Sequence, residues 1–147
     1  MDYLNLVSSF NGKTIRLPVA IAPSNTKLLN IPEDHQIILD TGADSSALTE
    51  EFLAQNGYSN FQKSGAKKRT ATGEIELLTC EVNGFTLANQ FKISKIKVDV
   101  LTGWDEHAVV GLIGMDILSR LAFILSHEHK KFMLSAKPIP ELAKLFV

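Results

Sequence analysis

The chain has a single cysteine, Cys80, which rules out an internal disulfide and with it a disulfide-stapled scaffold. No apolar run approaches the ~20 residues needed to span a bilayer. Residues 1–6 lack a basic stretch leading into an apolar one, so no signal peptide is visible. A net charge of only −1 gives no electrostatic reason to expect nucleic acid or a membrane as partner. The histidines do not have the spacing of a metal site. His127 and His129 flank a glutamate in a polar stretch that reads as a solvated turn, and His107 stands beside Asp105 and Glu106 without a partner motif. Neither a metal nor a cofactor is expected. What remains is an ordinary globular composition, 45% hydrophobic and 21% charged, in a chain of 147 residues that can bury a core unaided. These features predict a cytoplasmic protein in which Cys80 is a small buried hydrophobe.

The patterning is mostly β. Residues 14–21 read as a strand, with Pro18 marking an edge or a bulge, and 22–34 as a connecting loop. A short helix is expected over residues 49–57, capped by Thr49, favoured by Glu50 and Glu51 at its positive end and closed by Gly57. Residues 58–65 are polar and unpatterned. Residues 67–82 read as a hairpin with Thr72-Gly73 at the tip. Its apolar phase slips between Leu77 and Leu78, which predicts a β-bulge or a strand covered on both faces. Lys67-Lys68-Arg69 reads as a solvated edge that discourages strand pairing. Asn83-Gly84 is the strongest hairpin signal. Residues 85–100 follow as a long strand or pair, with Lys92, Lys95 and Lys97 facing solvent. Residues 101–108 form an irregular loop holding Trp104, either core or pocket wall. A buried strand over 109–114, a short helix over 115–121 and a closing hairpin over 122–135 complete the β pattern. Pro140 starts a last helix whose Leu142, Leu145 and Phe146 would pack against this chain or a partner.

The stretch that organises the rest is Ile37-Ile38-Leu39-Asp40-Thr41-Gly42-Ala43-Asp44-Ser45-Ser46. Three apolar residues read as a buried strand that delivers a carboxylate at its end. Gly42 lets the chain turn sharply and lets another backbone approach. Thr41 supplies a hydroxyl that can tie the turn down. The run Ile-Ile-Leu-Asp40-Thr41-Gly42-Ala43 resembles the active-site signature of the aspartic proteases, especially the retroviral-type, retropepsin-like branch. Leu112-Ile113-Gly114 followed by a helical pattern resembles that family's second element. The resemblance spans most of residues 14–135.

What the resemblance implies is a single-domain, retropepsin-like closed β-barrel or sandwich with a flap hairpin and one or two short helices. Its core would lie at residues 14–135, with a helical extension over 138–147. Peptide hydrolysis in such enzymes uses two carboxylates sharing a proton, one activating a water and the other donating to the carbonyl oxygen. This chain has one Asp-Thr-Gly and no second one. The expectation is therefore a homodimer with Asp40 as the sole catalytic residue of each copy. By resemblance, Thr41 would bond across the two-fold axis, and Gly42, Ala43 and Asp44 would meet the substrate backbone. Ala71, Thr72 and Gly73 would form the tip of a flap that closes over a polypeptide bound as an extended strand.

The sequence departs from the viral pattern in three places. Met115-Asp116 stands where Arg-Asn is usual, so the arginine that would pair with an aspartate like Asp44 is missing, and the pattern is closer to cellular and bacterial members. The chain also continues past the closing strand, so the interdigitated sheet of chain ends would be absent or replaced. The Trp104 loop is long for its place. Three other readings compete: a fold of this type that binds peptides or dimerises without cleaving, an actin-like phosphate-binding turn for which the chain is too short, and an Asp40 that merely ends a strand.

Overall fold

The computed structural model describes residues 6–9, 13–24, 35–104, 108–137 and 140–146. In chain order the elements are β1 (Leu6–Ser9), β2 (Arg16–Ile21), β3 (Gln36–Leu39), β4 (Ala47–Thr49), α1 (Glu50–Gln55), β5 (Gln62–Thr70), β6 (Gly73–Val82), β7 (Phe85–Leu87), β8 (Phe91–Ile93), β9 (Ile96–Leu101), β10 (Val109–Ile113), α2 (Met115–Leu118), β11 (Ala122–Ser126), β12 (Lys131–Ser135) and α3 (Pro140–Ala143). The strands make a nine-stranded sheet in the order β5-β6-β9-β4-β10-β3-β2-β7-β8 and a three-stranded sheet in the order β1-β12-β11. This is the mostly-β architecture expected from the sequence, and among the described residues the nine-stranded sheet is open at β5 and β8 rather than joined into a ring.

The core gathers alternate residues from most of the strands. Leu17, Ile37, Leu48, Leu87, Ile113, Phe132 and Leu134 are fully buried, as the period-two geometry of half-covered strands requires. Below the site, β3 and β10 lie parallel, with Ile38 opposite Leu112 and Leu39 opposite Ile113. β4 then pairs antiparallel with β10 and parallel with β9. Thr49 caps α1 by accepting from the Phe52 N–H at 3.2 Å, and Gly57 leaves the helix with φ 84°, as the cap and stop residues predict. Among the described residues no helix is long and apolar enough to cross a membrane.

Several local expectations need correction. Asn83-Gly84 does not make a hairpin, because β6 pairs with β9 while β7 pairs with β2 and β8. The hairpin lies next door, where Ala88 (φ 56°) and Asn89 (φ 57°) turn β7 into β8. The region expected as one or two strands is therefore three. The bulge implied by the phase slip in β6 sits on its partner: β5 carries Ser64, Gly65 and Ala66 against Leu77 alone, with Gly65 at φ 78°. β5 also starts at Gln62, inside the stretch read as unpatterned. Pro18 sits where β2 hands over from β3 to β7, and among the described residues each half of the strand is laddered with one strand only. β1 and β4 were not anticipated, and α2 is one turn rather than seven residues. α3 is equally short. Leu142 is half-buried, but Leu145 is 73% and Phe146 84% exposed, so neither packs within the chain.

Candidate active site

Asp40 follows directly on β3, whose hydrogen bonds on both sides fix the direction of the chain. Its N–H donates to the Ile113 carbonyl at 2.9 Å, which ties the start of the turn to the end of β10. The Gly42 N–H donates to Asp40 Oδ1 at 2.9 Å, and a Cβ on Gly42 would lie 3.3 Å from that oxygen. The carboxylate is thus held from the backbone while remaining half-exposed. Thr41, Gly42 and Asp44 are exposed and Ala43 half-buried. The Thr41 hydroxyl has no hydrogen-bond partner among the described residues, so it is not what ties down the turn in one chain.

That task falls to a residue the sequence reading passed over. Asp116, the first-turn acid of α2, accepts from the Ser46 N–H at 3.0 Å, the Ser46 hydroxyl at 2.7 Å and the Ile117 N–H at 2.8 Å. Ser46 is fully buried, and its Oγ in turn accepts from the Gly114 N–H at 2.9 Å. Two backbone bonds run alongside, Met115 N–H to Ala43 O at 2.8 Å and Asp116 N–H to Asp44 O at 3.1 Å. The Asp40 turn and the turn after β10 are therefore interlocked. Gly114 is needed because a Cβ there would lie 2.7 Å from the Ala43 carbonyl oxygen, and Gly111 because one would lie 2.0 Å from that of Ala47. The signal for Asp116 was present as the departure Met115-Asp116, which revealed a lost arginine but not a gained acceptor. Asp99 on β9 lies beside this network, its N–H bonded to the Ser46 carbonyl at 3.0 Å. Burial, and then the charge of Asp116, push its carboxyl above the usual range.

A cavity of about 240 Å³ opens beside Asp40 and Thr41, walled by Ile15, Ile38, Leu39, Phe123 and Leu125 among others. Ile37 is fully buried but Ile38 and Leu39, on opposite faces of β3, are only half-buried, so the strand expected to be buried is incompletely covered within a single chain. The expected flap residues Ala71, Thr72 and Gly73 lie apart from this cavity, exposed at the tip of the β5–β6 hairpin, with Gly73 at φ 131°. Trp104 is half-buried, and His107 with its acidic neighbours lies outside the described residues. His129 bonds to Ser126 through Nδ1 at 2.8 Å in the exposed β11–β12 turn. Cys80 is buried, and burial followed by the charge of Glu81 pushes its thiol up, which suits a packing role. Lys67 is exposed on β5, at the edge of the large sheet.

A strand ending in Asp-Thr-Gly, locked through its turn to a second strand ending in Leu-Ile-Gly within a mostly-β fold, defines a retropepsin-like aspartic protease architecture. In sequence, residues 30–120 match the family described as gag-polyprotein putative aspartyl protease, and the chain belongs to that family. In structure it is similar to a retropepsin-like aspartic protease from Rickettsia conorii, with a TM-score of 0.61, 19% identity, and coverage of 90% of this chain and 91% of that one. That likeness is one of fold. A weaker likeness, TM-score 0.47 with 20% identity over 76% of this chain and 92% of the other, is to EIAV protease complexed with the inhibitor HBY-793. No curated protein matches the chain in sequence.

Proposed function

We propose that the protein is an aspartic endopeptidase that works as a homodimer, each copy contributing Asp40. The observation that carries this reading is the Asp40 carboxylate itself: backbone-held, half-exposed at a cavity of mixed polar and apolar lining, and part of the only Asp-Thr-Gly in the chain. Two such carboxylates brought together cannot both ionise cheaply, so the pair shares a proton and its titration belongs to both. The ionised member takes a proton from water as the water attacks the peptide carbonyl. The protonated member donates to the developing oxyanion. Thr41, whose hydroxyl has no hydrogen-bond partner among the described residues, bonds to its counterpart turn across the axis. Gly42, Ala43 and Asp44 meet the backbone of an extended polypeptide, which gains affinity by strand-like pairing. The exposed Ala71-Thr72-Gly73 tip closes over it and excludes water.

The core at 14–135 with its C-terminal extension acts as one domain, and the buried lone cysteine suits the cytoplasm. The test is cleavage of a peptide-library substrate from roughly pH 3 to 8 by the wild type and by Asp40→Asn, whose loss of the shared proton should lower the rate by about 10³-fold or more. A folded dimer that cleaves nothing in this range would instead support the peptide-binding reading.

A further inference from the structure

We propose that the groove between β8 and the end of α2 binds an acidic, extended stretch of another polypeptide, at a site separate from Asp40. This groove, about 380 Å³ in volume, has no lining residue in common with the cavity beside Asp40. Its occupancy therefore does not depend on whether the Asp40 site cleaves.

The groove follows an unfinished sheet. β8 is the last strand of the nine-stranded sheet, and among the described residues it pairs with β7 alone, from Leu87↔Phe91 to Phe85↔Ile93. The groove is lined by the consecutive residues Gln90 to Lys95. Successive side chains of a strand point to opposite faces. A groove that touches all of them runs along the strand's edge and not over one face. That edge carries the N–H and C=O groups that β7 leaves unused, and an extended chain laid along it gains strand-like pairing.

The bottom of the groove is apolar. Leu87, Phe91 and Ile117 belong to the hydrophobic core and are 0%, 5% and 1% exposed, so the groove reaches down to packed side chains. Leu121, just beyond α2, is half-buried beside them. An apolar side chain of the incoming segment seats there.

The rim sets the sign of the charge. Lys92, Lys95 and Arg120 line the groove, all three exposed, and no aspartate or glutamate does. Lys95 is held by Glu81 at 3.1 Å. Lys92 and Arg120, from opposite walls, form no ion pair among the described residues. Cations at a sheet edge keep like edges apart. A second copy of this groove would bring its own three cations, so the occupant is a chain of opposite charge. Complementary charge steers and orients the segment, while edge pairing and the apolar seat hold it.

Calorimetric titration of the whole chain with a blocked peptide, Asp-Asp-Val-Leu-Val-Asp-Asp, and with its counterpart carrying asparagine at the acidic positions tests this. The protein carries Asp40→Asn so that neither peptide is consumed. The acidic peptide should bind about 10-fold or more tighter than the neutral one, and added salt should narrow the difference. Lys92→Glu combined with Arg120→Glu should abolish the preference while unfolding stays cooperative. Amide exchange with the rim intact provides an independent reading: saturating acidic peptide should slow exchange across Phe91–Ile93 by about 10-fold or more. Equal binding of the two peptides, or no binding by about 1 mM, overturns the proposal. So does a preference that survives the double reversal, or protection at the Asp40 turn and not on β8. Each of these outcomes leaves the proposed protease standing, since none of the groove residues serves Asp40.

Discussion

The strands beneath Asp40 and the exposed β5–β6 hairpin both depend on glycine, for opposite reasons. In the floor, Gly111 and Gly114 have no room for a methyl group, and their neighbours are backbone atoms that cannot step aside. In the β5–β6 hairpin, Gly65 and Gly73 have nothing within 4 Å of a Cβ position but stand at φ 78° and 131°. The floor is determined by contact between strands far apart in sequence. The hairpin tip is determined by local backbone conformation and is otherwise exposed. The proposed function would need both qualities, a carboxylate that stays where it is put and a lid that moves.

Substitutions can break this contrast in graded steps. The largest effect is expected at Gly111→Ala, where a Cβ would lie 2.0 Å from the Ala47 carbonyl oxygen. Only a shift of β4 against β10 can relieve that clash, so a stability loss of about 3 kcal/mol or more should appear as a sharply lowered urea midpoint. Near-normal stability would show that the interlock is loose. Asp116→Ala comes next, removing the acceptor for Ser46 and Ile117 and costing roughly 2–3 kcal/mol. Activity should fall further than stability alone explains, with kcat dropping while KM stays near its value, because the Asp40 turn loses its anchor. In the hairpin, Gly73→Ala should cost only about 1 kcal/mol through its positive φ. Its mark should be a change in kcat and KM together, as expected of a lid residue, and an unchanged kcat/KM would remove the flap from the account.

The smallest effect concerns Asp99. Its folded carboxyl holds its proton more tightly than the unfolded one, because burial and then Asp116 disfavour the charge. The native state therefore binds more protons than the unfolded state between the two values, and stability falls as pH rises through that window. Above it the penalty is fully present, and below the unfolded value it is gone. Asp99→Asn should give a small gain in urea midpoint at neutral pH and none in acid. Equal gains at both would assign the effect to packing instead.

The same contrast explains what could be read from the sequence. The β3 strand, the Asp40 turn, the Thr49-capped helix and the β11–β12 hairpin are written in local pattern, and each lies where that pattern puts it. The strand β4 is three residues long, too short to show a period, and exists because β9 and β10 flank it. Asn83-Gly84 has the right turn chemistry, yet β6 finds a better partner in β9, so tertiary pairing overrides the local signal. Ala88 in a left-handed turn has no local signal at all. Asp116 and Ser46 are 70 residues apart, and nothing in either segment marks the other as its partner. The turn that carries Asp40 was legible, whereas the Asp116–Ser46 interlock beneath it was not.

The central claim is that one active site is built from two copies of Asp40. It is tested most directly by refolding a fixed amount of wild type with increasing amounts of Asp40→Asn and measuring cleavage. The account predicts that activity falls towards zero as mixed dimers replace wild-type ones, since a single carboxylate cannot share its proton with an amide. Activity that stays proportional to the wild-type chains present, in mixtures shown to exchange subunits, would contradict it.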